Sequence, residues 1–137
     1  MLTRREVIGL MAGSSLTGIL PGNLKGATAL QRKTSMFVRI STGHFEASLY
    51  DEIDRTLREG GDRLVPHIRK LAGCVHYYAA INREANTIVN VSVWDSLEHA
   101  EQMATLKAMQ EEGVLIRSKG VRFDPIVNYE SVWTITG

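Results

Sequence analysis

The chain has 137 residues, of which 44% are hydrophobic and 23% charged, and a formal net charge of +1. That composition is globular, and the length suits one domain with an ordinary core. The near-neutral charge argues against a dedicated nucleic-acid binder, the single cysteine (Cys74) excludes an internal disulfide or a cysteine-held metal, and no apolar run reaches the roughly 18 residues of a membrane-spanning helix.

The first 29 residues read as an address. Thr3-Arg4-Arg5 is followed by a weakly apolar, glycine-rich stretch from Val7 to Leu20, then Pro21-Gly22, Lys25 and the small-x-small triplet Ala27-Thr28-Ala29. This is the basic, apolar and cleavage-site order of an export signal, and the paired arginines resemble the twin-arginine class of bacterial signals. Gly9, Gly13 and Gly18 disfavour a stable helix there, each costing about 1 kcal/mol relative to alanine. The expectation is a signal at 1–29 read by the twin-arginine export machinery, and a periplasmic or secreted domain at 30–137 that is not held in a membrane. Cleavage would remove three of the 16 basic and one of the 15 acidic side chains, leaving a formal charge of −1.

In chain order, residues 36–45 alternate as a strand does, with Met36, Val38 and Ile40 between Phe37, Arg39 and Ser41. Leu49, Ile53 and Leu57 recur every four residues and predict an amphipathic helix over 47–59, stopped by Gly60-Gly61. Asp62 can cap a second short helix with Leu64, Ile68 and Leu71 on one face and Pro66 near its first turn. Residues 74–82 and 86–94 are β-rich and form a hairpin about Arg83-Glu84-Ala85. Asp95 and Glu98 approximate a capping box, so a helix follows, with Leu97, Ala100, Met103, Ala104 and Leu106 inward. Gly113 interrupts it, Val114-Leu115-Ile116 forms a short helical piece, and Asp124-Pro125 opens a last strand over 126–135.

The order β-α-(α)-β-β-α-β predicts an α+β, ferredoxin-like split βαβ fold, a four-stranded antiparallel sheet with helices on one face. Its other face, rich in Val, Ile, Tyr and Trp, is too apolar to stand in water, and a second copy is the simplest cover, so the chain is expected to be a homodimer.

Three stretches carry a resemblance. They are Gly73-Cys-Val-His-Tyr-Tyr78, the strand Val89-Asn-Val-Ser-Val-Trp94 running into Asp95-Ser-Leu-Glu-His-Ala100, and Phe123-Asp-Pro-Ile-Val-Asn-Tyr-Glu130. Together they resemble the antibiotic-biosynthesis-monooxygenase family of the dimeric α+β barrel superfamily. That resemblance implies a cavity between sheet and helices, and an oxygenase acting on a small aromatic or quinol-like molecule without metal or flavin. In the quinol-oxidising members an Asn and a Trp stand four residues apart on one strand, and Asn90 and Trp94 have that spacing. Strand period places Asn90, Ser92 and Trp94 on one face, where an amide and an indole N–H can orient a phenol oxygen and stabilise its anion. The haem-degrading members carry an axial His about ten residues after this Trp. Ala104 stands there in this chain, so haem would have to use His99 or another His. No cofactor is expected. Non-enzymatic binding of haem or another hydrophobic ligand, and a stress-related structural dimer, are the alternatives.

The remaining assignments depend on register and burial. If hairpin positions sum to 169, as a two- or four-residue loop requires, Asn90 faces Ala79, Ser92 faces Tyr77 and Trp94 faces Val75, so Tyr77 joins the site. A three- or five-residue loop brings His76 and Tyr78 there instead. Tyr77 or His76 would then move a proton. Arg117 could hold an anionic substrate or be a solvated loop residue, and His99 is a ligand, a base or a packing residue. Trp94 either fills core or meets substrate, and Asn90 either meets substrate or bonds a loop or a partner copy. Arg39, within a strand, needs a carboxylate such as Glu130 if buried, or an active-site role. No nucleophile elbow, phosphate loop, dinucleotide fingerprint or H-E-x-x-H occurs.

Overall fold

A computed structural model describes residues 35–137. The signal reading of residues 1–29 and the domain start at residue 30 lie outside the described residues. The elements are β1 (Phe37–His44), a 3-10 turn (Ala47–Leu49), α1 (Tyr50–Ile68), β2 (Cys74–Asn82), β3 (Thr87–Trp94), α2 (Leu97–Ala100), α3 (Gln102–Thr105), α4 (Lys107–Ser118), β4 (Arg122–Phe123) and β5 (Val127–Glu130). The strands pair antiparallel in the order β2-β3-β1-β4, with β5 also on β1. This is the α+β, ferredoxin-like arrangement: α1 carries the chain from β1 to β2, and β3 returns between them.

Four details differ from the sequence expectation. The sheet has five strands, because Asp124, Pro125 and Ile126 part the last segment into β4 and β5. The long final strand stops at Glu130, and the Ser131 N–H donates to Met36 O as the last rung. Gly60-Gly61 does not stop a helix. α1 runs through both glycines and Pro66. Gly60 is buried against α4, where a Cβ would stand 3.1 Å from Glu112 Oε1. Its lack of a side chain admits the neighbouring helix, which offsets the propensity loss of about 1 kcal/mol.

The third difference is the cap of α2. Ser96 holds the N-cap position, its Oγ accepting the His99 N–H at 3.1 Å, while Asp95 bonds the His99 ring instead. The fourth is the break in the C-terminal helical segment. It falls at Leu106, in extended backbone, and α4 continues through Gly113. Leu106 there packs against the second of two cores.

Those cores sit at opposite ends of the sheet's helical face. One is built on Phe45, Ile53, Ile88, Ile116 and Val121; the other on Ile68, Trp94, Ala100 and Met103. Gly43 governs the first. A Cβ at this position would approach Val121 Cγ1 to 2.7 Å, Phe123 Cε1 to 2.9 Å and Ile88 Cγ1 to 3.0 Å. The other sheet face carries Val38, Ile40, Val89, Val91 and Val93, with Tyr78 and Tyr129 more than half exposed. Gly43→Ala overpacks a tight junction of β1, β3 and β4 and is expected to destabilise the fold by about 1–3 kcal/mol, read from the shift of the urea unfolding midpoint.

Candidate functional site

The antiparallel registers line up inward-facing residues into rows across the sheet. One row is Tyr77, Ser92, Arg39 and Asn128, contributed in turn by β2, β3, β1 and β5. The adjacent row is Ala79, Asn90 and Ser41. The flanking rows are apolar at their centres: Cys74, Trp94 and Phe37 on one side, Ile81, Ile88, Gly43 and Phe123 on the other. Period two therefore writes a polar band between the two cores.

A cavity of about 750 Å³ lies over this band. Its walls are Leu57, Leu64 and Ile68 from α1, and Met103, Met109 and Ile116 from the C-terminal helical segment. The loop from Phe123 to Ile126 borders it. Volume and lining are those of a small-molecule site: mostly apolar walls with a few convergent polar groups.

The hairpin has the register that sums to 169, through a four-residue loop in which Asn82 Oδ1 accepts the Ala85 N–H and Asn86 takes φ +52°. Tyr77 thus shares the cavity with Asn90. His76 and Tyr78 point to the opposite face, where their rings stack with centroids 6.1 Å apart, so the other register and its contacts do not occur. A bulge between Cys74 and His76 sets Cys74, rather than Val75, against Trp94.

Of the two parts open to it, Trp94 takes the one in the core. It is fully buried in the second core and does not line the cavity; its Nε1–H donates to Ser92 Oγ at 2.8 Å. Ser92 does line the cavity, so Trp94 reaches the site through a hydroxyl. Asn90 lines it directly and makes no side-chain hydrogen bond among the described residues. Arg117 lies on the cavity wall contributed by α4. His99 is outside, its Nδ1 2.6 Å from Asp95 Oδ1, and no histidine of the described residues lines the cavity for a haem to use.

Of the other polar residues of the band, Ser41 carries no sequence assignment, Ser92 is expected only to share the face of Asn90, and Arg39 is open to an ion pair or an active-site role. Their signal was the same alternation that selected Asn90, extended one strand across. Arg39 faces Asn128, while Glu130, the carboxylate expected for it, stands opposite Phe37. Burial lowers the Arg39 guanidinium below its ordinary value, against the opposing pull of Tyr77 and Glu101. Burial also pushes the Tyr77 phenol up to about 12, although the Arg39 charge acts the other way. At neutral pH Tyr77 is therefore an O–H donor and not a base. Of the lining carboxylates, Glu112 is paired with Arg63 and Asp124 with His44. Asn128 Oδ1 is buried without a hydrogen-bond partner. Among the described residues no cluster of three His, Cys, Asp or Glu side chains is placed to hold a metal.

No family model matches the chain, and no curated protein matches it in sequence. Solved structures do match its shape. A candidate antibiotic biosynthesis monooxygenase from Chloroflexus aurantiacus superposes with a TM-score of 0.52 at 21% identity, over 74% of this chain and 98% of that one. Another from Deinococcus radiodurans gives 0.58 at 16%, over 73% and 96%. SnoaB, a cofactor-independent oxygenase from Streptomyces nogalater, gives 0.56 at 10%, over 74% and 98%. At these identities the likeness establishes the fold: this is the α+β architecture on which antibiotic-biosynthesis-monooxygenase-like proteins are built.

Ser92→Ala removes the acceptor of a buried indole N–H and is expected to cost about 1–3 kcal/mol in chemical denaturation. In a Trp94→Phe background the same change should cost at least about 0.5 kcal/mol less, the coupling that a direct contact produces.

Proposed function

We propose that the protein is a cofactor-independent oxygenase of a small aromatic, quinol-like substrate. The observation that carries this reading is Asn90: an amide facing an apolar cavity of about 750 Å³ and free of side-chain partners among the described residues. Asn90 is half-buried, and its amide is presented where the polar atoms of a molecule in the cavity can take up its hydrogen bonds. The likeness in fold to a cofactor-independent oxygenase supports the same chemistry.

In this mechanism the electron-rich substrate supplies the electrons itself. Loss of its phenolic proton to solvent gives an anion that reduces dioxygen. One oxygen atom then joins a ring carbon conjugated with that anion; the peroxide so formed takes back one proton and loses water together with the carbon's single hydrogen, and a carbonyl remains. The protein's share is positioning and charge stabilisation. The Asn90 amide holds the reacting oxygen and stabilises its developing charge. Tyr77, protonated at neutral pH, donates a hydrogen bond and can return a proton to the departing oxygen. Trp94 is a positioning residue that orients Ser92. The apolar walls exclude water and hold the rings.

With a panel of anthrones and naphthohydroquinones in an oxygen electrode, the intact protein should consume oxygen stoichiometrically with substrate. Asn90→Ala should retain its far-UV circular dichroism and melting temperature while losing at least about 100-fold in kcat/KM. Oxygen uptake that is unchanged in this variant would remove Asn90 from the chemistry.

The working unit in this reading is a homodimer closed through the open sheet face, whose Val38, Ile40, Val91 and Tyr129 leave a contiguous apolar surface. The twin-arginine-like segment would carry it out of the cytoplasm already folded. Sedimentation equilibrium should give twice the 15.2 kDa of one chain, and Val91→Arg, at the centre of that face, should give the mass of one.

A further inference from the structure

We propose that the row Tyr77–Ser92–Arg39 is an anion subsite, and that the natural ligand carries a carboxylate set across an aromatic ring from the oxygen held by Asn90. This rests on the small-molecule reading of the cavity and adds the chemistry of the substrate.

Every group that the row offers to the cavity is a donor. Arg39 presents a guanidinium, whose forked N–H groups match a carboxylate. Ser92 is nine-tenths or more buried, and its Oγ already accepts the Trp94 indole proton, so its own hydrogen is left to point elsewhere. Tyr77 completes the set with a phenol that stays protonated. The acceptor of the row, Asn128 Oδ1, lies beyond Arg39 on β5, which puts the anion on the other side, over Ser92.

Charge agrees with this. The carboxylates lining the cavity, Glu112 and Asp124, are engaged by Arg63 and His44. Arg39 has no carboxylate within ion-pair distance among the described residues; Glu101 acts on it only through longer-range attraction. A mid-strand guanidinium held in a half-buried, apolar-walled cleft is costly without an anion. A carboxylate on the ligand supplies it.

The spacing sets the geometry. Asn90 and Ser92 are two residues apart on one strand, so their rows are separated by about 7 Å. That is the span between a hydroxyl and a carboxylate at opposite positions of one six-membered ring. The apolar walls take the rest of the ring system.

The test uses 4-hydroxy-1-naphthoate and its uncharged amide, 4-hydroxy-1-naphthamide, titrated calorimetrically into the full chain at pH 7.5. The acid should bind at least about tenfold more tightly than the amide. In Arg39→Gln the acid should fall to the affinity of the amide, while amide binding changes less than twofold; Arg39→Lys should recover part of the preference. Amide binding thus reports that the Arg39→Gln cavity is folded, and Arg39→Lys carries the test should it not be. Equal binding of acid and amide to the unaltered protein overturns the anion subsite and leaves the cavity reading standing. Persistence of the preference in Arg39→Gln, or its loss in Arg117→Gln instead, overturns the assignment to Arg39. Binding of neither compound overturns the subsite together with the small-molecule reading.

Discussion

Two polar rows across the inner face of the sheet determine how this domain packs. A ferredoxin-like sheet ordinarily buries one face against its helices as a continuous core. Here the middle of that face is Tyr77, Ser92, Arg39, Asn128, Asn90 and Ser41, so no single core can cross it. The apolar side chains gather instead at the two ends, around Ile53 and Ile88 and around Trp94 and Met103. The helices close over both ends and stand off from the band between them, and the cavity is the space left over.

Each end has a device that keeps it closed. At one, Gly43 lets β4 and the side chains of Val121 and Phe123 approach β1 without a Cβ in the way. At the other, Trp94 supplies bulk, and a β-bulge places the small Cys74 opposite it rather than Val75. The indole N–H would be an unsatisfied donor in that core, and Ser92 accepts it from the edge of the polar band. One hydrogen bond therefore joins the packing of the second core to the floor of the cavity. Between the ends, Gly60 brings α1 close to α4, and Arg63 on α1 holds Glu112 on α4.

Much of this was legible in the sequence, for reasons that differ by element. Alternation in β1 and β3 identifies both strands and separates Val89, Val91 and Val93 from Asn90, Ser92 and Trp94. The hairpin register was open to two readings, because Arg83-Glu84-Ala85-Asn86 has no Asn-Gly or Asp-Gly pair to fix the loop length; the positive φ of Asn86 closes it at four residues. The bulge at Val75 has no residue signature. Gly60-Gly61 reads as a stop because propensity is local, whereas the helix runs on through a tertiary packing of Gly60 against α4 that the local sequence does not display. The site was half legible for the same reason. Asn90 is visible as an amide among valines, but for Arg39 the choice between an ion pair with Glu130 and a place in the site is made only when β1 is laid beside β3 and β5, a long-range fact. Trp94 was read from its position after Asn90, and position on a strand does not tell whether an indole faces a cavity or fills the core beneath it.

The polar band is also the strongest physical ground for looking to function at this place. Burying a leucine- or valine-sized side chain contributes about 1.5–3 kcal/mol, and the band forgoes that at several central positions of a small domain. Packing alone would favour apolar residues there, as it does in the rows on either side. Departures from the local folding rules concentrate at functional sites, where a ligand completes what the chain leaves open. A purely structural dimer would need the outer face of this sheet and would gain nothing from a guanidinium, a phenol and an amide on the inner one. The inner face asks for a molecule with apolar breadth and polar atoms about one ring apart, and the fold, by parting its core in two, leaves room for it.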